Sequence, residues 1–392
     1  MPTEPLVGEV RTPDSPALAD AAADWSAAYI HLPFCARVCP YCDFAVVAGR
    51  DYLVDRYAEA LEREIDREAP WRPLDSVYFG GGTPSRMPVS AFIRLVGRME
   101  RQLGLGPDPE VSLEANPEDW SPALADGLVE AGLNRVSFGA QSFSAPTLHA
   151  LGRLHDPDQI VRAVQVARRA GFRSINLDLI FGTPGEPMAA WQETVERALE
   201  LEPDHISCYA LTVEPGTEMG RDVAAGGTAP DPDLQADEYE YAQERLERAG
   251  LVRYEVSNWA RPGHHVRYNL AVWAQAEYMA FGAGAHRFRG SVRSRNFRRI
   301  DSYLEAIEGG VSPTAGSEVV EGWDREVERL FLGIRRAAGV IAGPGGEGLR
   351  TSQAGDRLRQ AGVIAFSERR LVVLRPLLTD AVARALLALD TP

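Results

Sequence analysis

Between residues 28 and 211 the apolar positions fall into two alternating kinds of run. Short, β-rich apolar stretches occupy 28–32, 76–80, 111–115, 135–139, 174–180 and 205–211. Longer stretches at 52–68, 89–103, 122–131, 157–170 and 189–201 space their apolar residues as a helix does. In two of these the stripe is explicit: Ala163, Val166, Ala167 and Ala170, then Val195, Ala198 and Leu199, fall on one helical face. Gly132 and Gly171 follow directly on two of the helices, where a left-handed residue closes the last turn. This alternation predicts an α/β fold, a parallel sheet covered by helices. Six units predict a partial (β/α)6 barrel rather than a closed eightfold one. In such folds the chemistry sits at the C-terminal ends of the strands.

The unusual residues lie at those ends. Cys35, Cys39 and Cys42 follow the first strand, and Gly80-Gly81-Gly82-Thr83-Pro84 follows the second. Glu114 closes the third, Gln141 follows the fourth and Asp178 lies in the fifth. A single site is expected where they converge.

Elsewhere the pattern is weaker. Residues 1–24 show no periodicity and read as a disordered lead-in. Residues 25–217 form the barrel, and 218–297 an extension packing on it. Within the extension, 220–233 read as a loop, 234–249 as a helix and 254–257 as a short strand, while 259–290 show no clear period. Residues 298–392 turn helical, with a β-ribbon at 363–373, and predict a small helical, winged-helix-like C-terminal domain.

Composition narrows the function. Lys and Arg total 41 against 56 Asp and Glu, a formal charge of −15, which argues against a nucleic-acid partner. Three of the four cysteines are clustered, unlike a disulfide framework. The first residues lack the basic start and apolar run of a signal peptide, and no stretch is long enough to span a bilayer. A reducing, cytoplasmic location is expected, where thiolates survive.

The C-x3-C-x2-C spacing suits a 4Fe–4S cluster, because thiolates are soft anionic ligands and three of them leave one iron open. Zinc would call for a fourth ligand; His31 is near but lies on the strand before the loop. The glycine run lets backbone approach a ligand, although a plain tight turn explains it too. Glu114, Gln141, Arg153 and Asp178 suit a polar ligand with an amine, a carboxylate and a ribose. Cys208 reads as a core residue. His264, His265 and His286 are candidates for a metal or haem, the adjacent pair His264-His265 in a Gly-containing loop being the better one, against the plainer reading of hydrogen-bonded structural histidines.

Read together, the motifs Tyr29-Ile-His-Leu-Pro-Phe-Cys35, Gly80–Pro84, Glu114-Ala-Asn-Pro, Arg135-Val-Ser-Phe-Gly-Ala-Gln141, Leu151-Gly-Arg153 and Asp178-Leu-Ile-Phe-Gly-Thr-Pro-Gly resemble the radical S-adenosylmethionine (SAM) enzymes. With Tyr209–Thr217 and Tyr254–Gly263 they resemble, more narrowly, the oxygen-independent coproporphyrinogen III oxidase family. The resemblance implies a barrel of the radical SAM type in which Cys35, Cys39 and Cys42 hold the cluster and SAM chelates the open iron. It implies SAM contacts at Tyr29, Tyr41, Gly81, Gly82, Thr83, Glu114, Gln141, Arg153, Asp178 and Ala210.

The oxidases carry a fourth cysteine two residues after the third, where this chain has Phe44. The Cys42-Asp43-Phe44 ending resembles the haem chaperone (HemW-type) branch. That branch implies a protein that binds haem and passes it to an acceptor protein, with possible peripheral contact at a membrane. Its His-Asn-x-x-Tyr-Trp segment is altered here to Tyr268-Asn269-Leu270-Ala271-Val272-Trp273. Three readings of that change stay open: Tyr268 ligates ferric haem as a phenolate, one of His264, His265 and His286 serves instead, or haem binding is lost. The rival readings are the oxidase itself, which needs an electron donor, and another radical enzyme such as a methyltransferase.

Overall fold

The computed structural model describes residues 16–367 and 369–389. Among these, twelve strands form one mixed sheet. Its centre is β1 (Ala27–Leu32), β2 (Leu74–Gly81), β3 (Leu105–Ala115), β4 (Arg135–Gln141), β5 (Ser174–Phe181) and β6 (His205–Ala210), each parallel to the next. Beyond β6 lie the short antiparallel strands β7 (Val252–Arg253) and β8 (Asn258–Ala260). Beyond β1 lie β9 (Tyr278–Phe281), parallel to it, and then β10 (His286–Arg289), β11 (Val292–Asn296) and β12 (Thr314–Val319), antiparallel in turn. The order is β12-β11-β10-β9-β1-β2-β3-β4-β5-β6-β8-β7.

The helices that connect the six central strands are Val54–Asp66, Val89–Gln102, Pro122–Glu130, Pro157–Ala170 and Met188–Glu200, close to the ranges that the apolar pattern predicts. Pro157–Ala170 shows why. Asp156 and Gln159 form a capping box, Pro157 starts the helix, and Gly171 ends it at φ 96°. Its buried stripe of Ile160, Ala163, Val164 and Ala167 faces the sheet.

Each strand divides its side chains by a period of two. Ile30, Val77, Phe79, Leu113, Val136, Phe138, Leu177 and Ile206 join the helices in the main core. The alternate positions are polar: Tyr29 and His31, Tyr78, Ser112 and Glu114, Arg135 and Ser137, Asn176 and Asp178, His205 and Ser207. These face one another inside the curved sheet. Asn176 Nδ2 donates to Ser137 Oγ (2.5 Å) and Ser207 Oγ (3.0 Å), and its Oδ1 meets His205 Nδ1 at 2.6 Å. A polar interior that opens at the strand ends is what positions the site.

Several expectations are corrected. The lead-in lies partly outside the described residues, but from Pro16 it is ordered, with helix Pro16–Ala21 and a 3-10 turn at Ala22–Asp24. Ala22 is buried with Tyr254, Ala260 and Leu270, and Arg370 holds Asp20 at 2.7 Å. The expected loop 220–233 contains helix Glu218–Ala224, capped by Thr217. Residues 254–257 form a turn between β7 and β8 rather than a strand. Tyr254 N donates to Asn258 O (3.1 Å), and the Glu255 carboxylate accepts from Ser257 N (3.0 Å).

The second core gathers Leu330, Ile334, Leu349, Val363, Leu371 and Val382, with the expected ribbon at Ile364–Ser367 and Arg370–Val373. Helix Ile300–Glu308 belongs elsewhere: Tyr303, Leu304 and Ile307 are buried in the main core. The chain therefore leaves the main layer after β12 and not at 298. No helix among the described residues is long and apolar enough to cross a membrane.

Candidate functional site

β1 delivers the chain into the cysteine loop. The loop is folded back by a short parallel ladder, Phe34–Cys35 against Val47–Ala48, and tightened where Cys42 N donates to Cys39 O at 3.0 Å. Cys35, Cys39 and Cys42 are free, half-buried thiols lining one cavity of about 400 Å³. Thr83 Oγ1 donates to Cys35 Sγ at 3.6 Å, and Arg153 Nη1 to Cys39 Sγ at 3.7 Å. Asn116 joins these two. Its Nδ2 donates to Thr83 Oγ1 (3.2 Å), and its Oδ1 accepts from Arg153 Nη2 (2.5 Å), which also donates to Gly139 O (3.0 Å). The sequence reading missed Asn116, although it continues the inward-facing set of Ser112 and Glu114 by two residues.

Burial pushes the Cys35 thiol up to about 11, against the Thr83 hydrogen bond, and pushes Cys42 up as well. In the metal-free chain these groups are neutral thiols, so ligation releases their protons. Arg153, hydrogen-bonded to Cys39, is the nearby cation that favours the thiolate form.

The glycine run is backbone laid against backbone. Gly82 N donates to Leu32 O and Thr83 N to Phe34 O, both at 2.8 Å. A Cβ on Gly82 would stand 2.7 Å from the Pro33 carbonyl carbon and 2.8 Å from Phe34 O. Gly81 has φ 119°, and a Cβ there would meet the His31 ring at 2.5 Å. Gly82→Ala is therefore expected to push the cysteine loop off β2 and to cost about 1–3 kcal/mol of stability. It should also lower the iron that the protein retains. Wild-type melting together with wild-type iron content would refute that close approach.

Glu114 and Asp178 bring two buried carboxylates to the same cavity. Glu114 Oε2 accepts from Gly81 N and Oε1 from Tyr78 OH, both at 2.9 Å. Burial raises the Glu114 carboxyl to about 7; the Gly81 hydrogen bond opposes this and the charge of Asp178 adds to it. Asp178 is also raised by burial, against hydrogen bonds from Ser137 (2.6 Å) and Asn176 (2.8 Å). Gln141 adopts φ 62°, a left-handed turn for a residue with a side chain, at the irregular end of β4. Two buried carboxylates, one buried guanidinium and a bent backbone beside three thiols suit a polar ligand carrying both charges.

Of the residues expected to contact that ligand, Tyr41, Gly81, Gly82, Thr83, Glu114, Gln141, Arg153, Asp178 and Ala210 all line this cavity. Tyr29 is set apart. It lies on the inward face of β1, its hydroxyl meets His31 Nδ1 at 3.1 Å, and it lines the adjoining cavity instead. Tyr78 and Tyr209 line the first cavity without having been singled out by sequence.

The adjoining cavity has about 620 Å³, bounded by Tyr29, Tyr268, Tyr278, His286, Arg295 and Arg298. It shares Asp43, Phe44, Gly81 and Glu114 with the first. Tyr268, on helix Arg267–Trp273, stacks on Tyr29 (5.7 Å between ring centroids) and Tyr78 (5.3 Å). His264 and His265 line neither cavity. His264 Nδ1 meets Ser174 Oγ at 3.2 Å, and His265 sits edge-on to Tyr254 at 4.8 Å.

Comparison with known proteins agrees with this arrangement. The Radical SAM superfamily profile matches residues 29–198. The haem chaperone HemW of Mycobacterium tuberculosis is 37% identical over 383 residues, covering 95% of this chain and 97% of that protein. HemW of Bacillus subtilis is 35% identical over 318 residues, covering 80% and 84%. The structure of the radical SAM enzyme coproporphyrinogen III oxidase (HemN) from Escherichia coli superposes with a TM-score of 0.80 at 21% identity, covering 94% of this chain and 92% of that one, and so shares the fold. The chain belongs to the radical SAM superfamily and, within it, to the family of the HemW haem chaperones.

Proposed function

We propose that the chain is a haem chaperone that binds haem beside a SAM-ligated 4Fe–4S cluster and hands the haem to an acceptor protein. Family membership implies SAM and the cluster, and the donor set fits both. Cys35, Cys39 and Cys42 would hold the cluster, with Thr83 and Arg153 hydrogen-bonded to two of the sulfurs. Glu114, Gln141 and Asp178 would take the amine and hydroxyl groups of SAM, and Arg153 its carboxylate side. When reduced, such a cluster supplies one electron to SAM, so an electron donor is a partner only if SAM is cleaved. The acceptor is a second protein, met in the cytoplasm or at a membrane surface.

The observation that carries the chaperone reading over the oxidase is Phe44. It stands where the oxidases keep a thiol, and its ring is 64% exposed at the rim shared by the two cavities. An apolar ring there offers a contact for a porphyrin and no sulfur for chemistry. Anaerobic incubation with dithionite, SAM and coproporphyrinogen III, with products resolved by mass, tests this. The tetrapyrrole is expected to keep its mass, whether or not 5′-deoxyadenosine forms. Loss of carbon dioxide from its propionates would install the oxidase reading, and a gain of methyl mass on a tetrapyrrole the methyltransferase one.

A further inference from the structure

We propose that the 620 Å³ cavity is the haem site, with His286 as the axial iron ligand and Arg295 and Arg298 as partners of the porphyrin carboxylates. This rests on the haem-chaperone reading above and assigns its site.

β10 and β11 form an antiparallel hairpin in which His286 stands directly opposite Arg295. Directly opposed residues share a face, with Cβ atoms roughly 4.5–5.5 Å apart. The hairpin thus presents one imidazole and one guanidinium side by side to the cavity wall. Arg298 follows three residues after Arg295 and lines the same cavity. A second groove of about 500 Å³, lined also by Gly316, Ser317 and Glu318, touches His286 and Arg295 too, so the pair borders two open spaces.

An iron ligand needs a ring nitrogen with a free lone pair. His31 also lines the cavity, but both of its nitrogens are engaged, by Tyr29 OH (3.1 Å) and Ala45 O (2.8 Å). His155 lies between Glu118 and Ala140 O, and His205 between Asn176 and Tyr254. His149, His264 and His265 lie outside both cavities. His286 is exposed on the cavity wall, and its ring makes no hydrogen bond among the described residues.

Tyr268, at the position of the branch's histidine, does a different job. Its ring is committed to stacking with Tyr29 and Tyr78, and burial holds its hydroxyl well above the usual phenol range. Packed in this way, Tyr268 serves as an aromatic wall for a flat ring.

The arginines complete the chemistry. In a chain of formal charge −15, neighbouring Arg293 pairs with Glu318 and Glu328. Arg295 and Arg298 have no carboxylate within ion-pair distance among the described residues; Arg298 donates to the Asp43 carbonyl. Two guanidiniums without counterions at the rim of an aromatic-walled cavity match a flat apolar ring that carries two carboxylates.

The test uses the full chain, loaded anaerobically with its cluster and titrated with ferric haem. Binding constants and the absorption and electron paramagnetic resonance spectra of the bound haem are read. His286→Ala is expected to lose the nitrogen-ligated spectrum and to weaken binding about tenfold or more, with added imidazole restoring the spectrum. Tyr268→Phe is expected to keep the wild-type spectrum. The double variant Arg295→Gln/Arg298→Gln is expected to bind haem about tenfold more weakly, yet to bind haem dimethyl ester, whose carboxylates are blocked, as wild type does. If His286→Ala keeps the wild-type spectrum and affinity, the ligand assignment falls while the chaperone reading stands. An unchanged haem affinity in the arginine variant removes the carboxylate pairing. Absence of saturable haem binding by the wild type removes both the site and the reading.

Discussion

Alanine at any one of Cys35, Cys39 and Cys42 is expected to empty the protein of its cluster. Iron and acid-labile sulfide, measured after anaerobic reconstitution, should fall to the level of a protein without a cluster site. The reason is that the described lining of the cavity offers no further thiol or imidazole to replace one. Cys208, the remaining cysteine, is 1% exposed on the outward face of β6, packed in the main core. His31 is nearest along the chain, but Tyr29 and Ala45 take both of its nitrogens. Two thiols bind an iron–sulfur cluster far more weakly than three. Cys208→Ala is the control and should retain the whole cluster. The three loop thiols are half-buried, so the cluster-free variants should still fold, with a helix and strand content like that of the wild-type apoprotein. A variant such as Cys35→Ala that keeps full iron and sulfide would contradict the assignment.

Glu114→Gln is expected to act in opposite directions on binding and on stability. The carboxylate is half-buried at the cavity wall, and burial raises it to about 7 against the hydrogen bonds from Gly81 and Tyr78. SAM is cationic at its ammonium and sulfonium and carries ribose hydroxyls, so it binds the ionised form best. Losing a hydrogen bond to a charged group costs about 1.5–3 kcal/mol, roughly a ten- to hundredfold loss of affinity. The wild-type affinity should itself fall about tenfold per pH unit as pH drops below 7, where the free site takes up a proton. In the variant that pH dependence should vanish.

Stability follows the other sign. The folded pKa of Glu114 is raised above the unfolded value near 4.5, so its contribution is fully present below 4.5 and is lost as pH rises towards 7. Glutamine carries no charge, and its amide can face the Tyr78 hydroxyl while its oxygen accepts from Gly81. Glu114→Gln apoprotein should therefore melt above the wild type at pH 8 and close to it at pH 4. A variant that binds SAM as wild type does, or that loses stability at pH 8, would contradict this reading. The result would be a site that trades stability for binding.

Much of this was legible because strand geometry enforces a period of two. Inward positions such as Glu114 and Asp178 stand out as polar residues inside apolar runs, and a curved parallel sheet gathers such positions at one end. The cysteine spacing marked the loop by the same logic, since three thiols in eight residues have little structural use. What stayed hidden depended on tertiary pairing. β9 is four residues long and becomes a strand by pairing with β1. The lead-in looked disordered because it is rich in alanine and aspartate, yet Ala22 is buried against Tyr254 and Asp20 is held by an arginine 350 residues away. Tyr29 shared the motif of the cysteine loop, but the pleat turns it to the neighbouring cavity. The sequence favoured the adjacent pair His264-His265 over His286, and the structure reverses that order. The hairpin register and the hydrogen bonds of the other rings separate them.

The central claim is that this chain carries haem beside its cluster cavity and gives it up to another protein. The direct measurement is an anaerobic titration of the cluster-loaded protein with haem, with and without SAM, followed by mixing with an apo-haem protein. The account predicts saturable one-to-one binding and transfer of the bound haem at a rate set by the chaperone. Haem uptake no greater than that of a non-haem protein of similar acidity would contradict it.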